Sequence, residues 1–165
     1  MSWPDEKLFK QGMARIPAPV TVVTTFDSDG KPRGFTASAV CSLSVKPPLL
    51  LVCLAKTNAS RNAFITARRF MVNLLAADQQ EVALRFATPH INRFAQTGKL
   101  PTEAGLPSLS GCPVRLACRV YSLYAGGDHH ILVGLVEDIT ITDGDPLLYY
   151  HRAFTRLENP ELVIS

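Results

Sequence analysis

The chain has 165 residues, a formal net charge of +3 at pH 7, 47% hydrophobic residues and 19% charged residues. A chain of this length can bury its own core, so one domain over residues 1–165 is expected. Its composition is that of a globular protein and excludes wholesale disorder. The small, scattered positive charge argues against nucleic acid as a partner and supports at most a mild preference for anionic small molecules.

The first predicted element is a helix that starts at Trp3-Pro4-Asp5-Glu6 and ends before Pro17. Its apolar residues fall near one face, and they are Leu8, Phe9, Met13 and Ile16. The charges of this segment stand where a signal peptide needs an apolar stretch. The longest apolar run, 47–55, is far shorter than the roughly 20 residues of a membrane span. A cytoplasmic protein without membrane contact is therefore expected.

A short β-branched strand over 20–26 and the turn Asp27-Ser28-Asp29-Gly30 predict a hairpin into a strand over 33–44. In this second strand, apolar residues occupy the odd positions and mostly hydroxyl residues the even ones. Uncharged hydroxyls in a row suggest a face that meets a ligand or a neighbouring subunit. An ordinary exposed strand rich in serine and threonine is the alternative.

The run Leu49 to Leu54 is apolar on both faces, which is typical of a central strand. It ends at Thr57-Asn58-Ala59-Ser60, which predicts the start of a helix that continues through Arg68. Free amides and hydroxyls at such a junction suit a phosphate group, although these residues also serve simply as caps.

The rest of the chain predicts a strand, a second helix, a long irregular loop and three further strands. The helix has Asp78 and Glu81 spaced as a capping box, and the loop, being long, is expected to be functional or interfacial. The ranges are a strand over 70–75, a helix over 78–86, the loop 87–111, strands over 114–124 and 131–142 joined by the turn 125–128, and a last strand over 147–150. Many strands joined by hairpin turns favour a mostly antiparallel barrel with a few short helices.

The four cysteines contain no CxxC pair, and Cys41, Cys53 and Cys118 lie in apolar runs. Buried, reduced thiols are favoured over a disulfide framework or a zinc site. The two adjacent histidines, His129 and His130, follow Gly126-Gly127-Asp128 at the start of a strand. Neighbouring strand residues face opposite ways and cannot readily chelate one metal, so no metal site is expected. A turn into a core strand and a ligand-facing imidazole remain as the two interpretations.

Three motifs, in order, resemble the short-chain flavin reductase family. They are Gly34-Phe35-Thr36-Ala37-Ser38-Ala39-Val40-Cys41-Ser42-Leu43-Ser44 with the Pro47-Pro48 that follows, Gly127-Asp128-His129 with Gly134-Leu135-Val136, and the ending Pro146 to Phe154. The resemblance spans about residues 8 to 157. It implies a Greek-key split barrel of the FMN-binding type and a homodimer. It also implies the delivery of reduced flavin to a separate flavin-dependent monooxygenase.

The resemblance implies a role for each of these motifs. His129, oriented by Asp128 and with Gly127 allowing a tight turn, would meet the nicotinamide nucleotide, and the cysteine-leucine-alanine backbone at 53–55 would offer amides to the flavin ring. The implied flavin-binding residues are Phe35, Thr36, Ala37, Ser38, Ser42, Cys53, Leu54, Ala55, Thr57, Asn58, Ser60, Arg85, Phe86, Arg93, Phe94, Gly127, Arg152 and Phe154. For Arg85 and Arg93, a solvated surface charge is an equal alternative to a phosphate contact.

The implied reaction is hydride transfer from NADH to FMN or FAD, with NADPH left open, and the cofactors supply the chemistry while the protein aligns them. One alternative is a flavin or haem carrier without turnover. Another is a flavoprotein reductase that passes electrons to a corrin or a similar acceptor. Gly-x-Ser-x-Gly and Walker-type loops are absent from the sequence, which argues against a serine hydrolase or an NTPase.

Overall fold

The computed structural model describes residues 3–95 and 101–158. The helices are α1 Glu6–Met13, α2 Arg61–Thr66 and α3 Gln80–Ala87. The strands are β1 Ala18–Pro19, β2 Thr21–Phe26, β3 Pro32–Ala37, β4 Val40–Ser44, β5 Leu49–Ala55, β6 Arg69–Leu74, β7 Thr102–Glu103, β8 Leu106–Pro107, β9 Val114–Gly126, β10 His129–Ile141, β11 Leu148–Tyr150 and β12 Ala153–Thr155.

Seven strands form the main sheet in the order β3-β2-β6-β9-β10-β5-β4, and every neighbouring pair is antiparallel. Strand β3 at one edge also lies against β5 near the other edge, so the sheet curls into a barrel. The hydroxyl of Ser60 donates to the Gly34 carbonyl across this closure, at 3.1 Å. The expected fold class, a mostly antiparallel β barrel with a few short helices, is confirmed.

The core fills the inside of this barrel. Val23 and Phe35 from one edge pack with Leu54, Phe70 and Leu132 from the middle strands, and all five are almost fully buried. A second cluster joins α3 to the outside of β2, where Phe86 packs with Val22 and Leu147. Burying this apolar surface drives the folding of the domain.

The predicted strand over 33–44 is wrong as one unit, because it is divided at Ser38 and Ala39. Strand β3 pairs with β2, whereas β4 pairs with β5 at the opposite edge of the sheet. The division also changes which face is buried: Phe35 is in the core, but Cys41 and Leu43 are exposed. An alternation counted through 38–39 therefore fails, because the chain changes partners there.

Several boundaries also differ from the sequence-based expectation. Helix α3 begins at Gln80, and the residue before it makes no side-chain cap, so the expected capping box of Asp78 and Glu81 is wrong. The Gln79 side chain is used elsewhere, since it donates to the Ser110 carbonyl and accepts from the Ala76 amide. Helix α2 ends at Thr66 and does not reach Arg68.

The turn between β9 and β10 contains only Gly127 and Asp128, because β9 runs on through Gly126. The two-residue strands β1, β7 and β8 and the three-residue β12 were not expected from the sequence. Strands β7 and β8 lie in the predicted loop 87–111, of which residues 96–100 are outside the described part. No helix in the described ranges is long and apolar enough to cross a membrane.

All four cysteines are free thiols, but only Cys112 and Cys118 are buried. Burial raises the pKa of both thiols to about 12, so they are inert at neutral pH. Cys53 is half-buried and Cys41 is exposed, which corrects the expectation that Cys41 is buried. The cause is the division at 38–39, which turns the odd positions of β4 outward.

Candidate functional site

The turn between β9 and β10 lies beside the end of β5. His129 pairs with Ala55 and His130 with Leu54 in the antiparallel ladder. Two bonds from Lys56 fasten this junction: its amide donates to the Asp128 carbonyl at 2.9 Å, and its Nζ donates to the Gly127 carbonyl at 2.6 Å. Gly127 has a φ of +64°, a conformation that glycine adopts without strain.

The His129 ring is held by its neighbour in sequence. Its Nδ1 lies 2.7 Å from Oδ1 of Asp128, and the side chain is 42% exposed. The hydrogen bond to His129 lowers the pKa of the Asp128 carboxyl, which therefore stays ionised and can only accept. The Nδ1 atom must then carry the proton of this hydrogen bond. The expected contact between Asp128 and the His129 ring is present, and its role in orienting His129 toward a ligand stays a prediction.

His130 has a different environment on the other face of the strand. Its Nε2 accepts a hydrogen bond from Nε of Arg61, at 2.9 Å. Desolvation, followed by the charges of Arg61 and Lys56, lowers the pKa of His130 below its ordinary value. The sequence predicted opposite faces for the two histidines but gave no sign of the contact between His130 and Arg61.

An open cleft of about 850 Å³ lies between α1, the start of β4 and the segment that holds Tyr149 and Arg152. Its walls carry Phe9 and Met13 on one side and Ser38 and Cys41 on the other, with Arg152 at its border. The apolar face of α1 is uncovered, since Phe9 is 59% and Met13 51% exposed. This cleft is mainly apolar, and its lining also includes the ammonium group of Lys10, the hydroxyl of Ser38 and the guanidinium of Arg152.

A second set of hydrogen bonds connects β3, the residue before α2 and the loop after α3. Nη1 of Arg93 donates to the Gly34 carbonyl at 2.5 Å and to the Ser60 hydroxyl at 3.1 Å, while Nε and Nη2 both donate to the Thr88 carbonyl at 3.2 Å. Desolvation lowers the pKa of Arg93. Arg93 thus fastens the loop after α3 to the barrel, which leaves few donors for a ligand.

Several residues assigned to the flavin by resemblance have side chains buried in the core. They are Phe35, Ala37, Leu54 and Phe86, none more than 6% exposed. Phe94 packs edge-on against Phe86, with ring centroids 5.0 Å apart, and Phe154 against Tyr149 at 5.8 Å. None of these flavin-assigned residues is among the residues that line the cleft, and the buried four can reach a ligand only through their backbone.

Other predicted groups are already hydrogen-bonded within the protein. The Thr36 hydroxyl donates to the Ala83 carbonyl at 2.6 Å, and the Cys53 amide donates to the Ala39 carbonyl at 3.0 Å, so the expectation of a free amide at Cys53 is wrong. Oδ1 of Asn58 accepts from the Ser60 amide at 2.9 Å. The physical reason is the same in each case, since buried polar groups need partners.

The remaining predicted residues are distributed around the barrel. Thr57, beside Lys56, and Ser42 on β4 are exposed. Arg85 lines a separate hollow of about 260 Å³ with Gln79 and Ser108. The structure therefore brings Gly127, Asp128, His129 and the 55–58 segment together and puts Ser38 and Arg152 on the cleft, but it does not bring Arg85 there.

Sequence reasoning missed Lys56 and Arg61, two cations that flank the Thr57 to Ser60 segment and face the glycine-rich turn. Their position on either side of a predicted ligand segment was the available signal. It also missed that Cys41 lines the cleft, a point that depends on the division at 38–39. Within residues 3–95 and 101–158, no cluster of three or more histidine, cysteine or acidic side chains is arranged to hold a metal ion.

Comparison with known proteins gives a consistent family. The family model described as "Flavin reductase like domain" matches residues 13–158. The reductase component of a flavin-dependent trigonelline monooxygenase from Acinetobacter baylyi is 42% identical over 88% of this chain, but the chain spans only 47% of that protein. An NADH:riboflavin 5'-phosphate oxidoreductase from Streptomyces pristinaespiralis is 39% identical over 88% of this chain and 85% of its own length.

A solved structure shows the same similarity in three dimensions. The NADH:FAD oxidoreductase from Streptomyces globisporus, in complex with NAD and FAD fragments, superposes with a TM-score of 0.86. It is 31% identical in sequence, and the match covers 96% of this chain and 97% of that one.

Proposed function

This chain belongs to the flavin reductase like domain family, and from that premise we propose that it transfers a hydride from NADH to a flavin and releases the reduced flavin to a partner monooxygenase. The observation that carries this proposal is the open cleft beside β4, whose mainly apolar lining also includes the polar side chains of Lys10, Ser38 and Arg152. When both substrates are bound, the nicotinamide and the flavin supply the redox chemistry. The protein contributes their alignment and the exclusion of water.

The chemistry of the cleft fits a flavin ring system. A flavin is flat, with an apolar benzenoid end and a polar pyrimidine end. Phe9 and Met13 offer an apolar surface, while the hydroxyl of Ser38 and the guanidinium of Arg152 offer donors. We place the ring in this cleft, against the start of β4 and Leu51 of β5.

We assign the nicotinamide nucleotide to the turn that carries His129. The Nε2 atom of this ring is available as an acceptor, because Asp128 holds the proton on Nδ1. Asp128 is thus a positioning residue, and Gly127 lets the turn approach the nucleotide without a side chain. Thr57 and Asn58, on the adjacent segment, belong to the same surface.

Both flavin nucleotides are proposed as substrates. The relative from Streptomyces pristinaespiralis is named for riboflavin 5'-phosphate and the structural neighbour from Streptomyces globisporus for FAD, and both are named for NADH. An open cleft leaves room for the adenosine part of FAD to lie along the surface. The reductase component from Acinetobacter baylyi supports a separate monooxygenase as the acceptor of the product.

We propose that the active form is a homodimer with the flavin near the subunit boundary. The exposed apolar face of α1 borders the cleft, and an uncovered apolar surface of this kind typically meets a partner. Protein from which flavin has been removed should therefore sediment with about twice the mass of the 18.0 kDa chain. Full activity of a monomer at micromolar concentration would contradict this assembly.

Protein stripped of flavin should oxidise NADH only after free FMN or FAD is added. The reason is that the proposed product must leave for another protein, so the flavin behaves as a substrate in every turnover. The measurement is the decrease of NADH absorbance, with riboflavin as a third flavin to test the phosphate requirement. Full activity without any added flavin would contradict the proposal, as would no activity with all three flavins.

The variant His129→Ala should raise the KM for NADH or slow flavin reduction by about two- to twelvefold. This factor corresponds to the loss of one neutral hydrogen bond, which contributes about 0.5–1.5 kcal/mol. Flavin affinity should remain that of the parent, because His129 is assigned to the nicotinamide. Stopped-flow reduction at several NADH concentrations measures both quantities, and Asp128→Asn, which keeps the side-chain shape, should give a smaller effect. Parent-like kinetics for His129→Ala would remove His129 from the site.

A further inference from the structure

We propose that His130 is a positioning residue that holds the Arg61 guanidinium, beside Lys56, in place to receive a phosphate group of a bound substrate. This inference rests on the proposed function, because flavin and nicotinamide nucleotides are the ligands that bring phosphates. It concerns His130 and Arg61, neither of which takes part in the substrate contacts proposed so far.

The contact between the two side chains fixes how Arg61 is oriented. Nε of Arg61 donates to Nε2 of His130 at 2.9 Å, and both side chains are partly buried. Because Nε2 accepts this bond, the imidazole is neutral and carries its proton on Nδ1. A guanidinium is planar, so a bond that fixes Nε also fixes the direction of both terminal nitrogens.

Most of the remaining donors are free to bind a ligand. Nη1 of Arg61 makes one weak bond, to Oδ1 of Asn62 at 3.3 Å, and Lys56 uses one of its three N–H groups on the Gly127 carbonyl. Within the described residues, neither cation forms an ion pair. Asp128 is near enough to Lys56 for that charge to lower its pKa, but it is hydrogen-bonded to His129.

These observations favour an anion over a neutral ligand. Arg61 and Lys56 both act on His130, and each lowers its pKa, so the two positive charges converge on one region. Two positive charges in one region repel each other, and the carboxylate near Lys56, that of Asp128, is hydrogen-bonded to His129, so a bound anion would relieve this repulsion. A phosphate takes both a fork of guanidinium donors and a point charge from an ammonium group.

The experiment compares substrates with and without phosphate. Riboflavin is FMN without its phosphate, and 1-benzyl-1,4-dihydronicotinamide is a hydride donor without any phosphate. The two pairs are FMN with riboflavin and NADH with the dihydronicotinamide. In one pair, Arg61→Ala should weaken the binding of the phosphate-bearing substrate by about tenfold relative to the phosphate-free one. His130→Phe should weaken it by about three- to tenfold on the same comparison. His130→Gln, whose side-chain carbonyl still accepts from Arg61, should restore the preference to within about twofold of the parent.

Two controls separate positioning from general effects. Arg119→Gln removes one positive charge on β9, where Arg119 pairs with Glu137, and should leave both ratios unchanged. Thermal unfolding of every variant identifies any loss of folding. The double variant Arg61→Ala/His130→Phe should be no worse than Arg61→Ala alone, since the histidine acts through the arginine.

The pH dependence gives an independent measurement. Protonated His130 cannot accept a hydrogen bond from Arg61. Because the pKa of His130 in the folded protein lies below the ordinary imidazole pKa of 6.5, the contact is complete above pH 6.5. It is lost as the pH falls through the lowered pKa. Arg61 and Lys56 are the charged groups that act on this ring, while Asp128 and His129 are the titratable residues that precede it in the chain. FMN itself titrates at about pH 6, so parent and His130→Gln are compared with the same ligand.

The parent should lose FMN affinity more steeply than His130→Gln over this window if the phosphate belongs to the flavin. A changed ratio in the riboflavin pair assigns the phosphate to the flavin, and a changed ratio in the dihydronicotinamide pair assigns it to the nicotinamide nucleotide. Either outcome supports the inference. If the parent reduces flavin normally and neither ratio changes in Arg61→Ala or His130→Phe, the inference is wrong while the proposed function stands.

Discussion

Replacing Asn73 with aspartate should lower the free energy of unfolding by about 3–5 kcal/mol near neutral pH, the cost of an uncompensated buried charge. Asn73 is fully buried on β6. Its Nδ2 donates to the Val22 carbonyl at 2.9 Å and to the Thr24 hydroxyl at 3.3 Å, and its Oδ1 accepts from the Leu109 amide at 3.1 Å. An ionised carboxylate keeps only the last of these bonds.

The local network cannot adapt to this change. The second carboxylate oxygen would face the Val22 carbonyl, and the Thr24 hydroxyl already donates to the Pro107 carbonyl at 2.5 Å. Turning that hydroxyl toward the new carboxylate would leave the Pro107 carbonyl without its donor. Each buried polar group left unpaired costs about 1–3 kcal/mol.

The loss of stability in Asn73→Asp should depend on pH in a definite direction. Burial raises the pKa of the new carboxyl above the unfolded value of about 3.9, so the penalty grows as pH rises from about 4 toward the folded pKa. The protonated acid can donate to the Val22 carbonyl, and the loss should therefore shrink in acid. Urea unfolding at about pH 5 and about pH 8 measures the difference.

The matched control for this charge is Gln80→Glu, the same change of amide to carboxylate at an exposed position in the first turn of α3. It should change stability by less than about 0.5 kcal/mol in either direction, because a surface carboxylate near a helix start is tolerated or mildly favourable. An equal loss for Asn73→Asp at both pH values would show that shape, and not charge, sets its cost.

Gly134→Ala should destabilise the domain by about 3 kcal/mol, at the upper end of the usual cost of overpacking a core. A Cβ at this position of β10 would lie 2.5 Å from Cζ of Phe70 and 2.9 Å from Cβ of Cys118. Both neighbours are fully buried, so neither can move aside. Denaturant unfolding measures the loss, which should appear as a lower midpoint at an unchanged slope.

Shortening Phe70 should relieve part of this clash. Phe70→Leu alone leaves space in the core and costs stability, but combined with Gly134→Ala it should cost less than the sum of the two single changes. Gly12→Ala in α1, where a new Cβ meets nothing within 4 Å, should instead stabilise by up to about 1 kcal/mol. Strict additivity in the double variant would mean that the contact with Phe70 is not the cause.

Elements that depend on neighbouring residues were predicted well from the sequence. The β-branched run of β2, the Asp27 to Gly30 turn and the two-sided apolar pattern of β5 each carry a local signal, and the structure has all three. The Asp128–His129 contact is local as well, since the two residues are adjacent. The family resemblance also depends on short motifs, and residues 13–158 match the family model.

Features that depend on distant partners could not be predicted in the same way. The exposure of Cys41 follows from the passage of the chain from edge strand β3, paired with β2, to edge strand β4, paired with β5. Arg93, expected either at a phosphate or in solvent, fastens a loop to Gly34, 59 positions earlier in the chain. Asn73 gives no sign in the sequence that it supports Val22 and Leu109 from inside the core.

The sequence by itself determined the β-rich class, the main hairpins, the family and the Asp128–His129 contact, because periodicity, turn residues and adjacent side chains act over a few positions. Only the tertiary structure decided which polar side chains are used up inside the protein and which remain free. Arg61 and His130 are 69 positions apart, and they meet only because β10 pairs with β5 and α2 follows β5 directly. The pairing of strands that are distant in the chain sets these distances, and no local pattern encodes which of those strands will pair.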